Sequence, residues 1–196
     1  MIAVIRYNAG NVLSVMNALS RLGADAVLTD DRSIIETADK VIFPGVGEAS
    51  SAMAHLKRTG MAEVIKSLKQ PFLGICLGMQ LMCSYSEEGN TEGLGIFPER
   101  VREFPRSRGY KIPHVGWNTI SDLKGPLYKT TAENSYVYFV HSYYVPLSEN
   151  TTARCSYDDM DFSASLSYGN FHGMQFHPEK SGSEGEKLLR SFLEDV

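Results

Sequence analysis

The first half of the chain alternates short apolar runs with stretches in which apolar residues recur every three or four positions. Such runs predict buried strands, and the three-to-four spacing predicts amphipathic helices. The predicted strands cover residues 2–7, 26–29, 40–43 and the run that ends at Cys76, and the predicted helices cover 12–22, 49–56, 61–68 and 77–84. This alternation favours a mostly parallel sheet covered by helices on both faces.

The pattern changes after a polar loop at residues 87–93. Short β-rich runs then predict antiparallel hairpins added to the sheet, at residues 100–104, 115–120, 136–145, 152–157, 162–168 and 171–176. An amphipathic helix is predicted over 183–196, with Ser183 as its cap. We therefore expect an α/β fold: a central, mostly parallel sheet flanked by helices, with antiparallel strands added in the C-terminal half. No repeat or linker divides the chain, so residues 1–196 are predicted to form one domain.

One strand leads directly into a turn that carries a cysteine. The apolar run 70–75 leads into Cys76, which is flanked by Gly74 and Gly78. A helical pattern begins at Leu77. This order predicts a nucleophile elbow, in which a strained turn exposes the thiol and the helix N-terminus favours thiolate. The N–H of Leu77 would then be placed to donate to an oxyanion. The alternative is a buried cysteine in a βα turn, which is the commoner situation for a lone cysteine.

A second motif lies one hundred residues downstream, at the end of another predicted strand. On an extended backbone residues i and i+2 share a face, so His177 and Glu179 can present imidazole and carboxylate side by side. The carboxylate would fix the tautomer and leave the other ring nitrogen free to take a proton from a cysteine. Taken alone, such a pair is more often a surface pair; together with the elbow it predicts nucleophilic catalysis.

The glycine-rich loop Pro44-Gly45-Val46-Gly47 follows the predicted strand at 40–43. It does not extend to GxGxxG, no acidic residue stands where a ribose would need one, and the Walker pattern is absent. We therefore predict no cofactor. The loop is better suited to bringing backbone N–H groups toward a ligand at the edge of the sheet.

Composition excludes several classes of function. The 196 residues are 43% hydrophobic with a formal charge of -4 and no cluster of basic residues, which argues against nucleic acid as the main partner. No basic leader or apolar run of about 20 residues is present, so we expect a cytoplasmic protein without a membrane segment. Three cysteines without CxxC spacing indicate neither a disulfide framework nor a metal site, and Cys83, inside the predicted helix, and Cys155 are expected in the core.

The two chemical motifs together resemble a known signature. Gly74 to Gln80 with Gln175 to Glu179 is similar to the signature of class I glutamine amidotransferases in residue type, order and spacing. Pro44-Gly45-Val46-Gly47, residues 113–118, residues 139–144 and Lys180-Ser181 resemble, more narrowly, the glutaminase subunits of imidazole glycerol phosphate synthase. The resemblance runs from end to end.

The resemblance implies a role for particular residues. Cys76 would attack the side-chain amide of glutamine, His177 would protonate the leaving ammonia, Glu179 would orient His177, and water would hydrolyse the glutamyl thioester. The oxyanion donors would be N–H groups of Leu77 and of the loop that contains Gly45 and Val46. The residues implied to hold glutamine are Gly47, Gln80, Glu88, Ser142 and Tyr143.

The resemblance also implies a partner, a cyclase subunit with a (β/α)8 barrel that forms a heterodimer with the glutaminase and consumes its ammonia. Positions that match the family's interface are Asn11, Trp117, Asn118, Tyr136, Tyr138 and Lys180. The family usually has an acidic residue and a glycine where this chain has Arg6 and Asn8. The loop before Asn11 is therefore expected to meet the partner differently.

Other readings remain open at this point. A glutaminase subunit of anthranilate or aminodeoxychorismate synthase usually carries PGPG and a histidine after the second glycine of the elbow, where this chain has Val46 and Met79. A non-catalytic or redox-sensing relative would not need Glu179. A cysteine peptidase of similar fold would need an open groove for a peptide.

Overall fold

The computed structural model describes residues 1–7, 12–106 and 111–196. The strands are β1 (Ile2–Ile5), β2 (Ala26–Thr29), β3 (Lys40–Gly45), β4 (Phe72–Cys76), β5 (Cys83–Ser86), β6 (Thr91–Glu92), β7 (Phe97–Glu103), β8 (His114–Ile120), β9 (Ser135–His141), β10 (Tyr143–Tyr144), β11 (Thr151–Tyr157), β12 (Met160–Tyr168) and β13 (Phe171–Met174). The helices are α1 (Val12–Arg21), α2 (Arg32–Thr37), α3 (Ala49–Thr59), α4 (Met61–Ser67), α5 (Leu77–Met82) and α6 (Gly182–Glu194). Short 3-10 turns lie at Glu88–Asn90, Pro126–Tyr128 and Pro178–Lys180.

A seven-stranded sheet forms the centre, with strand order β11-β12-β13-β4-β3-β1-β2. Strands β2, β1, β3, β4 and β13 run parallel, and β12 and β11 continue the sheet antiparallel. The predicted α/β fold class is confirmed. Strand β4 lies between β3 and β13, with Gly45 paired to Cys76 and Ile75 paired to Met174. The elbow, the glycine-rich loop and the His177 turn therefore follow three adjacent parallel strands at one edge.

Two buried clusters cover the two faces of this sheet. Helices α3 and α4 pack on one face through Met53, Leu56 and Ile65. Helices α1 and α6 pack on the other through residues such as Leu19 and Leu188. Among the helices that the structure describes, none combines the length and apolarity needed to cross a membrane.

Several predicted elements in the second half are wrong in detail. The helix after Cys76 ends at Met82, so Cys83 begins β5 instead of lying in the helix, because β5 pairs with β6 and β7. Cys83 and Cys155 are fully buried, as predicted. Helix α6 begins at Gly182, and its N-cap residue is Ser181 rather than Ser183. The predicted polar loop at 87–93 contains a 3-10 turn and β6.

The expectation of antiparallel hairpins added to the central sheet holds for β11, β12 and β13, which pair antiparallel in chain order. Strand β13 also pairs parallel with β4, β7 belongs to a four-stranded sheet with β5, β6 and β10, and β8 and β9 form a separate hairpin. The predicted strand 136–145 breaks at Ser142, whose carbonyl accepts a hydrogen bond from the Phe104 N–H at 3.1 Å. At this residue the chain leaves β9, which pairs with β8, and continues into β10, which pairs with β7.

Candidate active site

The cysteine lies in the strained turn that the sequence predicts. Cys76 ends β4 with φ 55° and ψ -111°, a region in which a residue with a side chain costs about 1–3 kcal/mol. The glycine at 78 allows helix α5 to approach β3, because a Cβ there would lie 2.0 Å from the carbonyl oxygen of Phe43. The fold therefore maintains the elbow by close backbone packing.

His177 and Glu179 form a buried pair on the turn that follows β13. Nδ1 of His177 lies 2.7 Å from Oε1 of Glu179, and the two side chains are 1% and 2% exposed. The His177 N–H donates to the carbonyl of Tyr138 at 2.9 Å, and the Ser181 hydroxyl donates to the His177 carbonyl at 2.6 Å, so the backbone is held on both sides. When Nδ1 of His177 carries a proton and donates it to the Glu179 carboxylate in a hydrogen bond, Nε2 is the nitrogen that can accept a further proton.

The environment of His177 favours imidazolium. Burial by itself lowers its pKa, but interaction with Cys76 and with the Glu179 carboxylate outweighs burial and raises the pKa to about 10. Nε2 is buried and has no hydrogen-bond partner within the described ranges of the chain. Cys76 and His177 line the same cleft, so the open nitrogen belongs to the site that contains the thiol.

This cleft has a volume of about 310 Å³, near the lower end of the usual range for small-molecule sites. Its wall includes Cys76 and His177 together with every residue expected to hold glutamine, whereas Glu179 lies behind His177. The lining residues are Val46, Gly47, Cys76, Leu77, Gln80, Glu88, Pro113, Val140, His141, Ser142, Tyr143 and His177. Pro113, Val140 and His141 were not assigned to the site from the sequence.

The glycine-rich loop lies directly beside the start of α5. A Cβ on Gly45 would lie 2.4 Å from the Gly78 nitrogen and 2.8 Å from Cβ of Leu77. Only a glycine permits this approach, which brings the loop next to the first residues of α5. Both predicted oxyanion elements therefore meet at the cleft, where Val46 and Leu77 line the wall.

Glu88 lines the same cleft as Cys76. Its Oε2 accepts a hydrogen bond from the Ala49 N–H at 2.9 Å, which anchors the carboxylate at the beginning of α3. Burial raises the pKa of Glu88, against the lowering effect of that hydrogen bond. A partly buried carboxylate at this place is suited to an ammonium group of a ligand.

A network of buried amides connects the thiol to the strand that lines the cleft. Gln175, fully buried, points its Nε2 at the Cys76 sulfur at 3.8 Å. Its Oε1 accepts from Nε2 of Gln80 at 2.8 Å, and the same Gln80 nitrogen donates to the Tyr143 carbonyl at 3.0 Å. The sequence analysis assigned no role to Gln175, although its position two residues before His177, in the predicted strand 171–176, was a usable signal.

The Tyr143 carbonyl also accepts a hydrogen bond from a buried histidine pair. His141 Nδ1 lies 2.7 Å from that carbonyl, and its Nε2 lies 3.0 Å from Nδ1 of His114. Burial lowers the pKa of His141 to about 3 and that of His114 to about 4. Both rings are therefore neutral, with His114 donating to His141 and His141 donating to Tyr143.

The residues of the β8–β9 hairpin that were expected at a partner interface lie on both of its faces. Trp117 is 55% exposed and Tyr136 is 60% exposed on its outer face, and Tyr138 packs edge-on against Trp117 at 6.0 Å. The Asn118 side chain instead bonds to the Ser156 carbonyl at 2.9 Å, on the same face as buried His114. Exposed Lys180 is the last residue of the 3-10 turn that packs on β9.

The loop before α1 is described only in part. Asn8 and Asn11 lie outside the described residues. Arg6 is exposed and pairs with Asp30 at 2.7 Å, so its guanidinium is held along the edge of the sheet.

Comparison with known proteins decides the family. The family profile described as glutamine amidotransferase class-I matches residues 4–196. The chain belongs to the class I glutamine amidotransferases. The solved structure described as a glutamine amidotransferase has the same fold at 19% identity, with a TM-score of 0.76 and coverage of 99% of this chain and 98% of that one. A glutamine amidotransferase from Thermotoga maritima superposes with a TM-score of 0.68 at 18% identity, over 98% of this chain and 96% of that one.

Curated members of this amidotransferase family are more similar in sequence. A protein of Bacteroides fragilis named imidazole glycerol phosphate synthase subunit HisH is 58% identical over 98% of both chains. A protein of the same name from Pasteurella multocida is 45% identical over 100% of this chain and 98% of its own.

Proposed function

We propose that this amidotransferase is the glutaminase subunit of an imidazole glycerol phosphate synthase. It hydrolyses glutamine to glutamate and ammonia and passes the ammonia to a cyclase subunit that uses it in histidine biosynthesis. One observation supports the chemistry: Cys76 and His177 line the same cleft, and Nδ1 of His177 is hydrogen-bonded to Glu179. The choice of synthase rests on the name of the Bacteroides fragilis relative and on its 58% identity over 98% of both chains.

The proposed reaction begins with the Cys76 sulfur and the side-chain amide of glutamine. The thiolate adds to the amide carbon, and the resulting oxyanion accepts hydrogen bonds from the Leu77 N–H and from an N–H of loop 45–47. The C–N bond then breaks as His177 gives its proton to the departing nitrogen, which leaves ammonia and a glutamyl thioester. Water, deprotonated by the neutral His177, hydrolyses the thioester to glutamate and restores the thiol.

The charges around His177 support this sequence of proton transfers. Interaction with Cys76 and Glu179 raises the pKa of His177, so the ring holds its proton at neutral pH until a leaving group needs it. Gln175 donates toward the sulfur at 3.8 Å and thereby helps to orient the Cys76 side chain. The glutamine itself would lie along Gly47, Gln80, Ser142 and Tyr143, with its ammonium near Glu88.

The outer face of the β8–β9 hairpin is the proposed contact with the cyclase. Trp117, Tyr136 and Tyr138 place aromatic surface there, of the kind enriched at the centres of protein interfaces, and Lys180 lies beside it. The end of strand β9 reaches the cleft at Val140 and His141. Ammonia released at Cys76 therefore lies close to the proposed partner, and we expect a heterodimer.

Reconstitution with the cyclase subunit tests the proposal. Cys76→Ala should abolish synthesis from glutamine and leave synthesis from an added ammonium salt intact, because only the ammonia source is removed. Cys83→Ala is the matched control: this cysteine is fully buried outside the cleft, so synthesis from both sources should persist. Loss of both activities in Cys76→Ala would mean that the role given to Cys76 is wrong.

A further inference from the structure

Tyr7, just beyond β1, has a buried hydroxyl that lacks a partner. The residue is 6% exposed, its ring packs on Phe43 at 5.0 Å between centroids, and no hydrogen-bond partner for its oxygen exists in the described part of the chain. A buried polar group without a partner destabilises the state in which it occurs. The reaction proposed above does not use this hydroxyl.

The hydroxyl lies against the glycine-rich loop, close to the nucleophile. A Cβ on Gly45 would be 2.7 Å from the phenol oxygen, so this oxygen is within reach of the adjoining peptide groups. Burial raises the pKa of Tyr7, and the nearby Cys76 raises it further. The phenol therefore stays protonated and is available as a hydrogen-bond donor.

Loop residues Val46 and Gly47 form a wall between two cavities. On one side is the cleft with Cys76 and His177, and on the other is a cavity of about 60 Å³ lined by Tyr7, Val46, Gly47, Glu48, Ser51 and Ala52. The N–H and C=O of a peptide point in opposite directions. A peptide in this wall that turns its N–H into the cleft must therefore turn its carbonyl toward the side where Tyr7 lies.

We propose that Tyr7 is a positioning residue for the oxyanion donor of loop 45–47. When a peptide of this loop directs its N–H toward Cys76, the Tyr7 hydroxyl donates a hydrogen bond to the carbonyl of that peptide. The hydroxyl without a partner then becomes satisfied only in the catalytically competent arrangement of the loop. This inference rests on the proposed glutaminase function.

Tyr7→Phe tests the inference, because it removes only the hydroxyl. In the complex with cyclase and its nucleotide ligand, kcat for glutamine hydrolysis should fall about 10-fold, and KM should stay unchanged. This is the effect of losing one hydrogen bond that favours the competent arrangement of the loop. In the isolated chain the melting temperature should rise by about 2–4 °C, because an unsatisfied buried group has been removed. Removal of a hydroxyl that has no role in the loop would also raise the melting temperature, but it would leave kcat unchanged.

Tyr128→Phe is the matched control. Its buried hydroxyl donates to the Ser165 hydroxyl at 2.6 Å, away from the cleft, so the same substitution should lower the melting temperature and leave kcat unchanged. An unchanged kcat in Tyr7→Phe, or a lower melting temperature, would overturn the role of Tyr7 while the wild type remains an active glutaminase. A wild-type complex that does not hydrolyse glutamine would instead refute the proposed function, and this inference with it.

Discussion

Glu179 is expected to control both the protonation and the catalytic competence of His177. Its Oε1 lies 2.7 Å from Nδ1, and both side chains are almost fully buried. Glu179→Gln keeps the size of the side chain and removes the negative charge. The variant should therefore lower the pKa of His177 and weaken the imidazolium that protonates the leaving ammonia.

The size of the effect follows from the type of bond that is lost. A hydrogen bond to a charged partner contributes about 1.5–3 kcal/mol, which corresponds to a decrease of roughly 1–2 units in the pKa of His177. If the same free energy is lost from the transition state, kcat should fall about 10- to 150-fold. Because the pKa of His177 is raised in the folded chain, its stabilising contribution is complete below about pH 6.5 and is lost as the pH rises through about 10.

Two measurements check this prediction. NMR titration of the His177 ring in the isolated chain gives its pKa, and glutamate release by the complex with cyclase gives kcat. Glu99→Gln is the control, because Glu99 is a partly buried carboxylate bonded to Ser148 and Asn150 outside the cleft, and both measurements should match the wild type. If Glu179→Gln also matched the wild type in both, the carboxylate would not be holding the imidazolium.

Three further predictions concern the partner surface, the fold and the pH dependence of stability. Trp117→Ala should weaken cyclase binding about 30-fold, as truncation of an interface hot spot does, without changing the melting temperature; titration calorimetry and thermal melts measure the two effects. Gly185→Ala should destabilise the chain by about 1–3 kcal/mol in urea unfolding, because its Cβ would lie 1.8 Å from the Pro178 carbonyl oxygen. Ser183→Ala, in the same helix, is the control and should change stability by less than about 0.5 kcal/mol. Burial lowers the pKa of His141 to about 3, so the unfolded chain binds protons first and stability should fall as the pH decreases below about 6.5; His141→Gln should flatten that dependence.

The parts of the site that are local in sequence could be predicted. A strand, a glycine-flanked cysteine and a helix specify the elbow within about ten residues, and the spacing of His177 and Glu179 places both on one face. The structure brings Cys76 and His177 into one cleft, as these motifs led us to expect. The pairing of His177 with Glu179 at 2.7 Å agrees with the same reasoning.

The parts that depend on tertiary pairing could not be predicted. Gln175 and His141 contact the cleft through hydrogen bonds to Cys76 and Tyr143. The spacing to His177 gives the face on which Gln175 lies, but the hydrogen-bond partners of both residues depend on tertiary pairing. The direction of the Asn118 side chain follows from the β8–β9 register, which apolar alternation in a short strand does not determine. Trp117 and Asn118 were both expected at the interface because both match the family's interface positions, but as neighbours on one strand they lie on opposite faces of the hairpin.

The parallel pairing of β13 with β4 explains how the site is built. Strand β13 forms the expected antiparallel hairpin with β12, and it also pairs parallel with β4, which the apolar pattern did not predict. A parallel pair needs a crossover, and here the crossover contains everything from α5 to β12, including the hairpin that lines the cleft. One strand, β9, consequently presents Tyr138 toward the proposed partner and ends at His141 in the cleft wall. Residues of one strand therefore contribute both to the proposed partner surface and to the wall that faces Cys76.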